Sequence, residues 1–283
     1  MAQISIIKEQ VSTCPICKGE GYTFSISSNK KNISFIELCG CRVKACQCDG
    51  IAPYLYHDET QGKVLPCPCR EARVKIDQIK ELFNLSNIPV KYRYRRISEF
   101  QTDDENEEVC MNLAQAHDNA YFFIEQFSGK FNATRRGLYL FGNAGSGKTM
   151  LACLALNELI LQFQEKVKFM KITRDFFNHL RSSYNQESEW YGRGDNLFKA
   201  LAEVPALVID DFGVQADSSW EQRTLYDLID ARYEAELPTI ITSNVPPQEI
   251  ESSFKNRIYS RLKEMTVFQN MIGLDYRERF QNS

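Results

Sequence analysis

Missing from this 283-residue chain are a membrane-length apolar run and a dominant charge. A helix crossing a bilayer needs about 20 consecutive apolar residues, and no stretch comes near that. Met1 to Gln10 lacks a basic start followed by an apolar stretch, so no signal peptide is expected. Lysine and arginine number 34 against 37 acidic residues, a formal net charge of −3. That leaves no global field to attract nucleic acid, and any basic surface must be local. The expected compartment is the cytoplasm, where thiols stay reduced and disulfides are rare. Of the ten cysteines, eight precede residue 70, and clustered cysteines in a reducing compartment read as metal ligands. An apolar share of 43% suits a globular protein with a sizeable core, and the length allows one or two domains.

The chain is organised around Gly142-Asn143-Ala144-Gly145-Ser146-Gly147-Lys148-Thr149, which fits G-x-x-x-x-G-K-[ST]. An apolar strand, Gly137 to Phe141, precedes it, and helix-forming residues from Met150 to Ile160 follow. Glycines let backbone N–H groups close around phosphate oxygens, and the helix N-terminus adds positive potential. In that arrangement Lys148 reaches the β- and γ-phosphates of ATP and the Thr149 hydroxyl ligates Mg²⁺. Ala206-Leu207-Val208-Ile209-Asp210-Asp211-Phe212-Gly213 is a further apolar strand ending in two carboxylates, the Walker B form. Asp210 is expected to hold Mg²⁺, and Asp211 to act as base or orient the attacking water.

Pro238 to Asn244 reads as another buried strand, placing Asn244 at its C-terminus beside the γ-phosphate. Val167 to Lys171 and Thr266 to Leu274 complete five strands, and Phe176 to Tyr184 continues as a helix. Strands alternating with helices of this length specify an open parallel α/β sheet. Its ligands bind beyond the strand C-termini, where each of these motifs falls. Arg257 and Arg261, four apart, share one helix face. From there a subunit can present an arginine finger to its neighbour's γ-phosphate. Arg277, beyond the fifth strand, is a candidate to contact nucleotide within its own subunit. With its end at Ser283, the chain is expected to lack a full helical lid.

Residues 1–75 form a cysteine-rich module. Its pairs are Cys14-x-x-Cys17, Cys39-x-Cys41, Cys46-x-Cys48 and Cys67-x-Cys69. Each close pair puts two thiolates on one tight turn, half of a tetrahedral Zn²⁺ site, so eight thiolates make two sites. In a tandem pairing the first two pairs share one ion and the last two the other. The similar length of the intervening loops favours it, while a nested pairing of first with last stays open. Cys14 to Gly21 also fits C-x-x-C-x-G-x-G and resembles the repeat of the DnaJ cysteine-rich region, which supports zinc. An iron–sulfur cluster is the competing reading. His57 reads as a loop residue. A module this small has little core, so zinc would supply its folding energy.

Residues 76–136 read as a helical linker and entry segment ahead of an ATPase core over 137–283. Arg70 to Asn84 carries Val74, Ile76, Ile79, Leu82 and Phe83 among charges, an amphipathic helix. In Lys91-Tyr92-Arg93-Tyr94-Arg95-Arg96 basic residues alternate with tyrosines. The run either meets phosphates and bases or packs its tyrosines on the next domain. Asn112 to Phe127 reads as a helix that packs on the nucleotide sheet.

Together, Gly142 to Thr149, Leu207 to Gly213, Arg232-Tyr233, Pro238 to Asn244, Arg257-x-x-x-Arg261-Leu262 and Asp275-Tyr276-Arg277 resemble the DnaC/DnaI-type helicase loaders, AAA+ ATPases related to the IstB transposition helpers. The resemblance covers residues 137–283 and extends to the entry segment from Ile88 to Phe100. A cysteine module ahead of the ATPase is similar to DnaI and unlike IstB, but eight cysteines exceed the single site the family would have. The resemblance implies an AAA+ P-loop core with a five-stranded parallel sheet behind a small zinc domain. It implies ATP-dependent loading of the replicative hexameric DNA helicase in DNA replication. The zinc module would bind the helicase, the AAA+ part would bind single-stranded DNA, and ATP would lie between self-associated subunits. Asn244 takes the sensor-1 position. Lys168 to Tyr184 matches the initiator-type DNA-binding insertion, making Lys171, Arg174 and Phe176 the DNA candidates. The alternatives are a transposition or phage-encoded ATPase on the same core, or a zinc-dependent protein-binding adaptor.

Overall fold

The computed structural model describes residues 14–26, 33–129, 135–213, 219–253 and 257–273. It divides into two compact units, Met1–Asn84 and Leu85–Ser283, so the segment 76–136 falls partly in each. Among the described residues no helix is long and apolar enough to cross a membrane.

The first unit repeats one plan twice. An antiparallel hairpin joins β1 (Tyr22–Ile26) to β2 (Ser34–Leu38), followed by the short helix α1 (Gly40–Lys44). A second hairpin joins β3 (Leu55–Asp58) to β4 (Lys63–Pro66) and runs into α2 (Arg70–Leu85). The buried face of α2 is Ala72, Ile76, Ile79 and Phe83. These positions follow helical spacing, and Val74, expected on that stripe, is exposed instead. Ala72 needs Gly21 beneath it, since a Cβ at residue 21 would approach the Ala72 Cβ to 2.7 Å. Two-stranded hairpins bury little by themselves, so the unit's apolar burial comes largely from this helix.

The second unit is a five-stranded parallel sheet in the order β6-β7-β8-β5-β9. The strands are β5 (Gly137–Phe141), β6 (Val167–Lys171), β7 (Ala206–Phe212), β8 (Thr239–Ser243) and β9 (Thr266–Asn270). Before the sheet comes α3 (Glu107–Glu125), capped by Asn106, whose side chain accepts from the Glu108 and Val109 N–H groups. Within it run α4 (Lys148–Phe163), α5 (Asn178–Ser183), α6 (Gly194–Glu203), α7 (Ser219–Glu234), α8 (Pro247–Ser253) and α9 (Arg257–Met265). Of these strands, β5, β7 and β8 are buried almost throughout, on both faces, as a parallel sheet under helices requires. One side of the core gathers Tyr139, Phe176, Phe177, Ile209, Phe212 and Ile241.

One arginine is sunk in this core. Arg232 of α7 is wholly buried and has five acceptors. Its guanidinium donates to the Leu201, Ala202 and Val204 carbonyls at the end of α6, to Pro238 O and to Thr239 Oγ1. The C-terminal carbonyls of α6 have no partners in their own helix, so the arginine satisfies them and ties α6 to the start of β8.

The entry segment is clamped to α4. The Asn157 amide donates to Tyr92 O (2.6 Å) and Arg95 O (2.9 Å). Buried Glu158 accepts from Arg96 Nε (2.8 Å) and the Ile97 N–H (2.9 Å). Arg93 Nε donates to Ile88 O and Arg95 Nε to Glu99. The alternating run thus packs as a structural clasp, with its arginines turned to the chain's own acceptors.

Candidate nucleotide and metal sites

The loop after β5 and the ends of β7 and β8 lie at the C-terminal edge of the sheet, where β5 pairs between β8 and β9. The loop leaves β5 through Gly142, at φ 136°. A Cβ there would lie 2.2 Å from Met271 O, so only glycine fits. Gly147, at φ 89°, turns the loop into α4. The Lys148 ammonium donates to Gly142 O (2.9 Å), Asn143 O (2.6 Å) and Ser146 Oγ (3.3 Å), which holds it over the loop.

One helical position on, the Thr149 hydroxyl donates to Asp210 Oδ1 at 2.7 Å. Thr242 Oγ1, near the end of β8, donates to the same oxygen at 2.7 Å. It also accepts the Asp211 N–H at 3.2 Å. Asp210 is fully buried, and its Oδ2 has no hydrogen-bond partner. A buried carboxylate oxygen left open beside a threonine hydroxyl fits the donor set of a magnesium ion, which takes one or two protein oxygens and keeps waters and phosphates. Thr149 and Thr242 thus meet at one oxygen of Asp210.

A β-bulge separates the two carboxylates. The β7–β8 register shifts between Ile209 and Phe212, and Asp211 takes φ 62°. Aspartate tolerates this left-handed conformation better than most residues. The bulge re-aims Asp211 toward solvent, with its side chain 54% exposed, while Asp210 stays inside. Ser243 Oγ closes the bulge by donating to Phe212 O at 2.6 Å. Asn244 follows β8 at this edge and is exposed.

The structure corrects the assignment of the DNA candidates. Lys171, at the end of β6, sits on the Walker B pair, with Nζ 3.1 Å from Asp211 Oδ2 and 3.5 Å from Asp210 Oδ2. Burial depresses this ammonium, but the hydrogen bond to Asp211 and the two negative charges outweigh it and hold its pKa above the ordinary lysine value. Phe176 is buried in the core and can stack on no base. Ile172 to Phe177 form a π-helical turn, and the Phe176 ring packs there against Phe177, with centroids 5.4 Å apart. Arg174 is exposed, paired with Asp175.

The two arginines of α9 part company. Arg261 Nε donates to Asp230 at 2.8 Å, and its guanidinium lies 4.1 Å from the Tyr233 ring centroid, so its own chain holds it. Arg257 is exposed and lines a groove of about 790 Å³ with Arg223, Tyr226 and Asp227 of α7. Arg277 lies outside the described residues.

In the first unit the eight cysteines form two clusters, Cys14, Cys17, Cys39, Cys41 and Cys46, Cys48, Cys67, Cys69, which is the tandem pairing. A zinc ion about 2.3 Å from each sulfur has S···S edges of about 3.8 Å. The observed separations are 3.6 and 3.9 Å in the first cluster and 3.4 to 3.9 Å in the second. Each cluster could therefore hold a tetrahedral ion. The second has outer donors, with Arg73 Nε 3.3 Å from Cys69 Sγ and the Gln47 N–H 3.2 Å from Cys67 Sγ.

Sequence reasoning missed Thr242 and the position of Lys171. A trace of the first was visible: Thr242 and Ser243 put two hydroxyls side by side at the end of a buried strand.

Residues 91–261, more than half of the chain, match the family described as IstB-like ATP binding protein. The replicative helicase loader DnaC of Escherichia coli strain K12 is 27% identical over 160 residues, 54% of this chain and 59% of that protein. The replicative helicase loader DnaI of Bacillus subtilis strain 168 is 26% identical over 134 residues, 46% of this chain and 41% of that protein. The chain thus spans about half the length of these relatives. Among solved structures, a crystal structure of DnaI aligns with a TM-score of 0.51 at 22% identity, over 66% of this chain and 96% of that one. AMPPCP-bound DnaA from Aquifex aeolicus aligns with a TM-score of 0.51 at 18% identity, over 70% of this chain and 55% of that one. At these identities the likeness is one of fold.

Proposed function

The chain belongs to the IstB-like ATP-binding protein family, and from that premise we propose that it is an ATP-dependent loader of the replicative DNA helicase. The observation that carries this is the convergence of Lys148, Thr149, Asp210 and Asp211 at one sheet edge in a chain similar in sequence to DnaC and DnaI. In this reading Lys148 and the loop amides hold the phosphates of ATP. Thr149 and Asp210 hold Mg²⁺, which neutralises the charge that develops on the phosphates. Asp211, set out by the bulge, would orient water for attack, and Asn244 would assist it.

Subunits would self-associate so that one chain's arginine reaches its neighbour's ATP. Arg257 suits that part and Arg261 does not, because Asp230 and Tyr233 already hold it. The thiolate clusters would carry two Zn²⁺, and their unit would contact the hexameric helicase. Single-stranded DNA would meet the ATPase unit at the segment after β6, with exposed Arg174 as the cation and exposed Tyr184 and Tyr191 as stacking surfaces. All of this is cytoplasmic work.

The test is co-purification of the full chain with a replicative hexameric helicase, with and without ATP. Capture by the wild type, altered by ATP only when Lys148 is intact, supports the loader. A chain that hydrolyses ATP yet never captures a helicase returns the core to the transposition reading.

A further inference from the structure

Lys171 has no part in the functional reading above, yet its ammonium lies between the two carboxylates on which that reading depends. The surroundings of Asp210 explain why this matters. Its Oδ1 is taken by two hydroxyls, Thr149 and Thr242, each at 2.7 Å. Only Oδ2 has open lone pairs, and it is the oxygen that Lys171 Nζ faces at 3.5 Å. The same ammonium holds Asp211 Oδ2 at 3.1 Å. A magnesium ion binds carboxylate oxygen at about 2.1 Å and would bring two positive charges to that oxygen.

We propose that Lys171 is the built-in counter-ion of the Walker B pair, neutralising Asp210 and Asp211 and competing with the divalent cation for Asp210 Oδ2. The inference rests on the reading of Asp210 as the metal's carboxylate. The lysine backbone is fixed, since residue 171 pairs in register with Asp210 and its N–H donates to Asp175 Oδ2 at 3.0 Å. What can move is the four-carbon stem, which is 37% exposed. The ammonium can therefore swing into water without shifting β6, and metal entry requires that it does. Two adjacent aspartates with neither lysine nor metal would repel each other, so the lysine also keeps the site stable before metal arrives. Lys171 is thus a positioning residue that sets how much metal the site needs.

The experiment titrates Mn²⁺ into the full chain saturated with ADP, following free Mn²⁺ by electron paramagnetic resonance, and records melting temperatures with and without Mn²⁺. Lys171→Met keeps the stem and removes the charge. It should bind Mn²⁺ about tenfold more tightly than wild type, because one positive charge beside the ligand oxygen is gone. It should also melt lower than wild type without metal and recover when Mn²⁺ is added. Unchanged or weaker Mn²⁺ binding in Lys171→Met, alongside loss of binding in Asp210→Asn, overturns the competition alone. An Asp210→Asn chain that binds Mn²⁺ as wild type does would overturn the reading of Asp210 and the inference with it.

Discussion

Thr242→Val removes one hydroxyl and changes little else. Valine has nearly the shape of threonine, and residue 242 is 1% exposed near the end of β8, so packing and β-propensity are kept. Two contacts disappear: the 2.7 Å hydrogen bond to Asp210 Oδ1 and the acceptor for the Asp211 N–H. A hydrogen bond to a charged group contributes about 1.5–3 kcal/mol. If that is lost from the geometry that holds metal and water, hydrolysis falls about 10- to 100-fold, at roughly 1.4 kcal/mol per factor of ten. The assay is steady-state ATP hydrolysis across a Mg²⁺ titration, with thermal melting in parallel. The Mg²⁺ midpoint should rise and kcat should fall, while Thr242→Ser, which keeps the hydroxyl, restores both. A valine variant hydrolysing within about twofold of wild type, with the same Mg²⁺ midpoint, would refute the reasoning. A fall in melting temperature alone would mean that the hydroxyl serves the strand and not the carboxylates.

Elemental analysis should find about two zinc ions per chain, four thiolates each, and removing them with a chelator should expose the first unit to protease while the sheet of the second stays protected; one zinc, or iron, would contradict this. Arg232→Met should destabilise the second unit by about 3 kcal/mol, since it leaves the α6 carbonyls buried without donors, and a melting temperature equal to wild type would show that water replaces the guanidinium. Mixing Arg257→Ala with Lys148→Ala chains should restore part of the hydrolysis each lacks, each lending an intact half-site. Arg261→Ala should instead lower stability through the lost Asp230 pair, with little to rescue by mixing.

Much of the second unit could be read from residues because its signals are local. Glycines with positive φ, a lysine and a threonine at set spacing, and apolar runs closed by polar residues are written within a few positions of each other. The strands at 137–141, 167–171 and 206–212 stand where those runs were. So do the close cysteine pairs, since two thiolates on one turn need only the turn.

Other features depend on which distant residues meet, and no local pattern carries that. The tandem pairing of the cysteines needed the two hairpins to fold back on themselves. Lys171 looked like a free cation until its register with Asp210 put it on the carboxylates. Arg261 looked equal to Arg257 until α9 packed beside α7 and Asp230 took it. Phe176, a DNA candidate through the family resemblance, is taken up by the core beside Ile172 and Phe177. Spacing along a chain records the chemistry a segment can offer. Register, helix rotation and the partner across the sheet settle which side chain delivers it, because charge and hydrogen bonding act over a few ångströms of space, whatever the separation in sequence.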